Sequence, residues 1–206
     1  MATWNPVPNG DVSLSGWTEE GGGSAPIYDQ VDELIGSADD TGVKGTLETA
    51  LTLRFTLSAP PGDLADGSVT AVTLQNRHKQ SGRVDDTWTG AGTMQLLASD
   101  NTDLTNTMTI TTSNQYSTSY LNSNAISATG VLTTGTAAQW ADAELRYIDP
   151  VKSANMAADT VTWFIDAFDI VVTYTPAGTT ANAGVASATA TGQAPSASIN
   201  VNAGVA

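Results

Sequence analysis

Apolar and polar residues alternate most cleanly over residues 51–57. Leu51, Leu53, Phe55 and Leu57 share one phase, and Thr52, Arg54 and Thr56 the other. A period of two is that of a strand with one buried face and one solvated face. Pro60-Pro61-Gly62 stops it, because proline has no N–H to give to a ladder. Weaker versions of the pattern predict strands over 68–78, with Val72 and Leu74 inward, over 93–98 around Met94 and Leu96, and over 105–112 around Met108 and Ile110. Residues 116–133 are rich in Ser and Thr and read as two short strands. The longest strand is expected over 160–175. Val161, Trp163 and Ile165 keep one phase, and Phe168, Ile170, Val172 and Tyr174 keep the other. A phase change near Asp166-Ala167 predicts a β-bulge, which re-aims side chains without ending the strand.

Helical signals are scarce. Residues 137–145, from Ala137 through Trp140 to Leu145, predict one or two helical turns. Residues 27–35 are a short mixed segment, and Asp39-Asp40-Thr41-Gly42 reads as a turn. About seven to nine short strands separated by turn residues predict an all-β antiparallel sandwich or barrel.

The two flanks differ from this body. Residues 1–26 are rich in Gly, Pro and Ser and predict an extended N-terminal arm, with Trp4 and Trp17 as its anchors on the body or on a neighbour. Residues 27–178 are expected to form the sandwich domain. Residues 179–206 carry no charge and no aromatic side chain. In them Asn182-Ala183-Gly184-Val185-Ala186 returns as Asn202-Ala203-Gly204-Val205-Ala206, twenty residues later. Such small side chains bury too little apolar area to offset backbone ordering, which costs roughly 1–2 kcal/mol per residue. Two readings stay open. The segment is a flexible linker, or it orders only on contact, as strands added to a neighbouring sheet edge. On the second reading Asn182, Gly184, Val185, Ile199, Val201, Asn202 and Val205 are the assembly residues.

Charge and composition narrow the function. The 206-residue chain has a formal net charge of −14 and only seven Lys and Arg. That sign repels phosphate backbones and argues against nucleic acid as a partner. The densest basic stretch, Arg77, His78, Lys79 and Arg83, reads as a solvated strand end and turn, with His78 exposed. Cysteine is absent, so there is no disulfide framework and no thiolate metal site. The first residues lack the basic and apolar regions of a signal peptide, and no apolar run reaches membrane-spanning length. The chain is therefore expected to stay where it is made or to leave by assembly into a particle and lysis of the cell.

Catalytic patterns are thin. His78 is the one histidine, and no nucleophile elbow or phosphate-cradling glycine loop occurs. Glu19, Glu20, Asp32, Glu33, Asp142 and Glu144 are candidate paired carboxylates, but all lie in segments with ordinary turn or surface readings. Asp39-Asp40, Asp63 to Asp66 and Asp100 to Asp103 offer oxygens without EF-hand spacing, and Asx turns account for them. No enzyme activity, cofactor or metal is expected. Loop aromatics can stack on sugars, and Trp88, Tyr116 and Tyr120 are the candidate glycan platform; the competing reading folds them over the core edge or into a subunit contact.

Four features taken in order resemble a class of tailed-bacteriophage virion structural proteins. They are Trp17 followed by Tyr28-Asp29-Gln30-Val31-Asp32-Glu33 and Asp39-Asp40; Trp140-Ala141-Asp142-Ala143-Glu144-Leu145; the closing strand ending Val171-Val172-Thr173-Tyr174; and the Asn-Ala-Gly-Val-Ala repeat. The resemblance spans roughly residues 15–206 as short patches and carries over no catalytic residues. It implies a jelly-roll-like sandwich of the kind found among head-decoration and minor tail proteins. It further implies a protein assembled in the host cytoplasm and carried in the virion. Its partners would be other copies of itself and other capsid or tail proteins. The alternative is a carbohydrate-binding or adhesion module that touches a host surface glycan. Neither reading involves nucleic acid or a membrane.

Overall fold

A computed structural model describes residues 1–23, 26–46, 50–81, 91–111, 119–149 and 161–178. In chain order the strands are β1 (Ala2–Trp4), β2 (Pro8–Ser13), β3 (Thr18–Glu19), β4 (Val43–Thr46), β5 (Thr52–Leu57), β6 (Leu64–Ser81), β7 (Ala91–Ala98), β8 (Met108–Thr111), β9 (Leu121–Asn122), β10 (Ile126–Ser127), β11 (Ala143–Ile148) and β12 (Thr162–Pro176). One helix, α1 (Ala137–Ala141), and two 3-10 turns, Tyr28–Gln30 and Ile35–Ser37, complete the described elements.

The strands form two sheets, and the pairings between them are antiparallel. One sheet runs β10-β6-β12-β4-β3, with β1 also on β12 and β9 also on β6; the other runs β2-β5-β11-β7-β8. From β4 to β7 and again from β10 to β12 the chain alternates between the sheets, so those successive strands face each other across the core, whereas β7 and β8 pair within one sheet. This is the all-β antiparallel sandwich that the alternating pattern predicts, and it fits the jelly-roll-like kind that the resemblance implies. Its core joins Leu53, Phe55 and Leu57 of β5 and Met94 and Leu96 of β7 to Val72 and Leu74 of β6 and Phe168, Ile170 and Val172 of β12.

β12 is the axis of the seven-stranded sheet, paired along one side with β6 and along the other with β4 and β1. The expected bulge is present: Ile165 pairs with His78 and Ala167 with Arg77, leaving Asp166 between them. The extra residue restores Phe168 and Ile170 to the inner face after Trp163 and Ile165. Residues 1–23 supply β1 and β3 to one sheet and β2 to the other. Trp4 and Trp17 are buried in the common core, and Trp17 meets Tyr147 edge to face at 6.0 Å.

The helix predicted over 137–145 is corrected. It ends at Ala141, and residues 143–148 are the central strand of the five-stranded sheet, between β5 and β7. Ala, Glu and Leu favour helix locally, but Ala143, Leu145 and Tyr147 alternate inward, and two flanking strands reward the extended form. What remains of the helix is well capped. The Thr136 hydroxyl accepts from the Gln139 N–H, and Gln139 reaches back to the Thr136 N–H. Thr136→Ala is expected to cost about 1 kcal/mol, read as a lower urea midpoint at unchanged slope.

Three surface expectations are also corrected. His78 is buried against Trp163 because it shares the inward parity of Val72 and Leu74. Arg77 and Lys79 are not a solvated strand end; both are mostly covered and ion-paired. Glu144 is buried and pairs with Arg54. Beside them, residues near 101–107 fold over the outer face of the five-stranded sheet, bridging Leu97 to Asp103 and holding the Gln95 amide on the Thr105 carbonyl.

Candidate functional site

The outer face of the seven-stranded sheet is built from the outward parity of β6, β12, β4 and β3. Strand register places Lys79 beside Phe164, Phe164 beside Lys44, and Lys44 beside Thr18. The next row outward is Ser81, Thr162 and Thr46. On the other side of the first row lies Asp166, turned by the bulge so that its carboxylate meets the Arg77 guanidinium.

Glu20, just past β3, ties this face together. Its Oε1 accepts from Lys79 Nζ at 2.5 Å, its Oε2 accepts from the Tyr120 hydroxyl at 2.6 Å, and its main-chain carbonyl accepts from Lys44 Nζ at 2.8 Å. Arg77 holds both Asp166 and Asp40. Cations also cover the aromatic rings. Lys79 Nζ lies 4.2 Å from the Tyr120 ring centre and 5.0 Å from that of Phe164, and the Arg77 guanidinium lies 4.9 Å from Tyr120. Three of the seven basic residues of an acidic chain therefore sit on one face.

The protonation states follow from burial. Asp166 is fully covered, and desolvation pushes its carboxyl up to about 7 against the pull of Arg77. Burial and the bond to Glu20 push the Tyr120 phenol well above its usual value, so it remains a hydrogen-bond donor. On the inner face, burial holds His78 down at about 4.

A groove of about 440 Å³ opens between β3, β4 and the start of β12, lined by Thr18, Glu20, Lys44, Thr46, Thr162 and Phe164. Glu20 also borders a second groove, of about 560 Å³, over Gly21 to Gly23, Gln30 and Asp40 to Gly42. Together they offer the Lys44 ammonium, hydroxyls that both donate and accept, the carboxylates of Glu19, Glu20 and Asp40, and one aromatic ring.

The sequence candidates fall in different places. Trp88, Tyr116 and the assembly residues Asn182, Gly184, Val185, Ile199, Val201, Asn202 and Val205 lie outside the described residues. Tyr120 is on this face, but two cations occupy its ring. Of the candidate carboxylates, Glu20 is in the network, Glu144 is on the opposite sheet with Arg54, and Asp142 closes α1. Turn acids bind backbone: Asp39 accepts from the Thr41 N–H, and Asp100 from the Thr102 N–H. Asp66 accepts from the Ala137 N–H. Among the described residues no group of three His, Cys, Asp or Glu could hold a metal ion. Sequence reasoning missed Phe164, although an aromatic residue in the outward phase of a strand is a legible signal.

No family model matches the chain, and no curated protein matches it. Among solved structures it is similar to an isomalto-dextranase of Arthrobacter globiformis complexed with panose, at 11% identity and a TM-score of 0.38, over 65% of this chain and 18% of that one. It is similar to the enzymatically active domain of tailspike protein 4 of bacteriophage CBA120, at 10% identity and a TM-score of 0.39, over 84% of this chain and 19% of that one. It is also similar to the CBM22-1 xylan-binding domain from Paenibacillus barcinonensis, at 12% identity and a TM-score of 0.35, over 82% of this chain and 92% of that one. The chain spans about a fifth of the length of the first two, and at this level of similarity none of the three bears on function.

Proposed function

We propose that this chain is a non-enzymatic structural component of a phage particle, a sandwich that decorates a head or builds part of a tail. Residues 179–206 would tie it to neighbouring copies by β-addition. The observation that carries this reading is the abrupt change after the central strand. β12 is buried on its inner face from Trp163 to Tyr174, whereas residues 179–206 hold a repeat of small uncharged side chains. A segment that cannot bury a core of its own gains order by lending backbone hydrogen bonds to another chain. Support also comes from the buried acids of the body, since Glu144 and Asp166 are engaged with Arg54 and Arg77.

Cutting the chain after Gly178 provides the test. The shortened protein should keep its unfolding free energy within about 0.5 kcal/mol, because side chains this small and uncharged can bury little apolar area. Self-association of the full chain, followed by light scattering and electron microscopy, should be lost. A full chain that stays monomeric in every condition, or assemblies that survive the cut unchanged, would exclude the proposal.

A further inference from the structure

We propose that the groove beside Phe164, on the outer face of the seven-stranded sheet, binds a neutral saccharide. The inference does not depend on residues 179–206 or on a loop aromatic as the stacking ring.

Shape comes first. Neighbouring strands lie about 4.8 Å apart. The row Lys79, Phe164, Lys44 and Thr18 crosses four strands and so extends roughly 14 Å. That is the footprint of a short oligosaccharide laid across the strands. The hydroxyls of Thr162 and Thr46 flank the row on one side, where ring hydroxyls of a sugar would fall.

Chemistry selects the ligand class. A sugar has an apolar C–H face and a rim of hydroxyls that both donate and accept. Phe164 supplies the apolar contact, and it lines the groove while Lys79 sits over its ring. Lys44 spends one N–H on the Glu20 carbonyl and keeps two to donate. The threonine hydroxyls serve either way. A site for an anion would present uncommitted cations. Here Lys44 is the one groove cation without a carboxylate partner among the described residues, while the Lys79 charge is spent on the Glu20 carboxylate, that carboxylate stands in the groove itself, and the chain carries −14 overall. An acidic polymer is therefore opposed at a distance by the net charge and in the groove by the Glu20 carboxylate, against the single cation Lys44.

Preorganisation adds the third argument. Glu20 is pinned by Lys79, Tyr120 and Lys44, and Lys79 is fixed between two rings. Binding therefore orders few side chains, which is where much of the cost of a weak polar site lies. Tyr120 takes part by holding Glu20, as a positioning residue.

The experiment is calorimetric titration of the full-length protein with neutral hexose and pentose oligosaccharides, and with uronate oligosaccharides of matched length. Phe164→Ala and Phe164→Tyr are run in parallel, with thermal melts to check folding. Saturable binding of at least one neutral oligosaccharide is expected, at least tenfold weaker in Phe164→Ala and retained in Phe164→Tyr. Thr46→Val should weaken it by several fold. The inference is overturned if no neutral oligosaccharide binds, if the uronates bind better, or if a folded Phe164→Ala binds as well as the parent.

Discussion

Arg77→Met is expected to cost about 2 kcal/mol of stability at pH 8 and distinctly less at pH 5, because an Asp166 carboxyl that titrates at about 7 can take up a proton at pH 8 for about 1.4 kcal/mol. Arg77 is the described ion-pair partner of Asp166, whose side chain has no exposed surface. The other carboxylate oxygen, Oδ1, is buried without a hydrogen-bond partner. Burial has already lifted the Asp166 carboxyl to about 7 with Arg77 in place, from an ordinary value of 3.8. A group raised in the folded state lends stability that is complete below its unfolded value and is lost as pH rises through its folded value. At pH 5 the folded chain therefore holds Asp166 mostly protonated, and removing the guanidinium strands no charge. At pH 8 the carboxylate is ionised in the parent, and in Arg77→Met it loses its partner and takes up a proton, at a cost of about 1.4 kcal/mol.

A smaller loss should appear at both pH values, because Arg77 also lies over the Tyr120 ring, a contact worth about 0.5–1 kcal/mol. The measurement is urea unfolding of parent and variant at the two pH values. The double variant Arg77→Met with Asp166→Asn should recover most of the pH 8 loss. Equal losses at pH 5 and pH 8 would show that Asp166 is not the group left uncompensated.

That prediction rests on a residue whose position was half legible in the sequence. The phase change at Asp166-Ala167 announced a bulge, because inward residues before and after it could not share one parity. The partner of the bulged residue was not legible. Arg77 lies far away in sequence, and only the pairing of β6 with β12 brings the two together. The same division runs through the fold. Residues 52–57 form a strand with the predicted inward set, since polar residues on the outer face leave the alternation unmasked. β11 was hidden because both its neighbours are distant in sequence, while Ala and Glu gave it a local helical appearance. Glu144 read as surface for a related reason, because its cover and its Arg54 partner arrive from elsewhere in the chain.

The candidate site was less legible than the fold. Exposure is the rule for loop aromatics, whereas the ring that lines the groove stands on a strand. Phe164 was readable from parity alone, as an outward position between Trp163 and Ile165. Its neighbours Lys44, Thr18 and Glu20 were not, because β3 and β4 are too short to carry a pattern. His78 is the instructive error. Val72 and Leu74 set an inward parity that continues through Asn76, His78 and Gln80. Polar character suggested exposure, and register overrode it.

Trp163→Ala should cost about 3–5 kcal/mol at pH 8 and less at pH 4, with the difference traceable to His78. Trp163 is 2% exposed, and its ring stacks on the imidazole at 4.7 Å with an interplanar angle of 11°. Buried there, His78 titrates at about 4 instead of 6.5, and its Nδ1 has no partner to receive a proton's added donor. A histidine depressed in the folded state lends stability that is complete above its unfolded value and is lost as pH falls through its folded value. Between pH 6.5 and pH 4 the parent should therefore lose roughly 3 kcal/mol through this one residue, at about 1.4 kcal/mol per unit. Removing the indole admits water, lets His78 charge nearer 6.5 and abolishes most of that acid limb. Asp149 and Asp166, both lifted to about 7, act with the opposite sign, gaining stability as pH falls from 7 towards 3.8. They are present in both proteins, so their contribution cancels in the comparison of variant with parent. Because His78 is the chain's one histidine, its imidazole proton resonances can be followed without assignment. A midpoint near 4 in the parent and a rise of at least one unit in Trp163→Ala is the expected pair of results. A parent midpoint near 6.5 would mean that the imidazole is solvated, and the stacking that organises this end of the core would have to be given up.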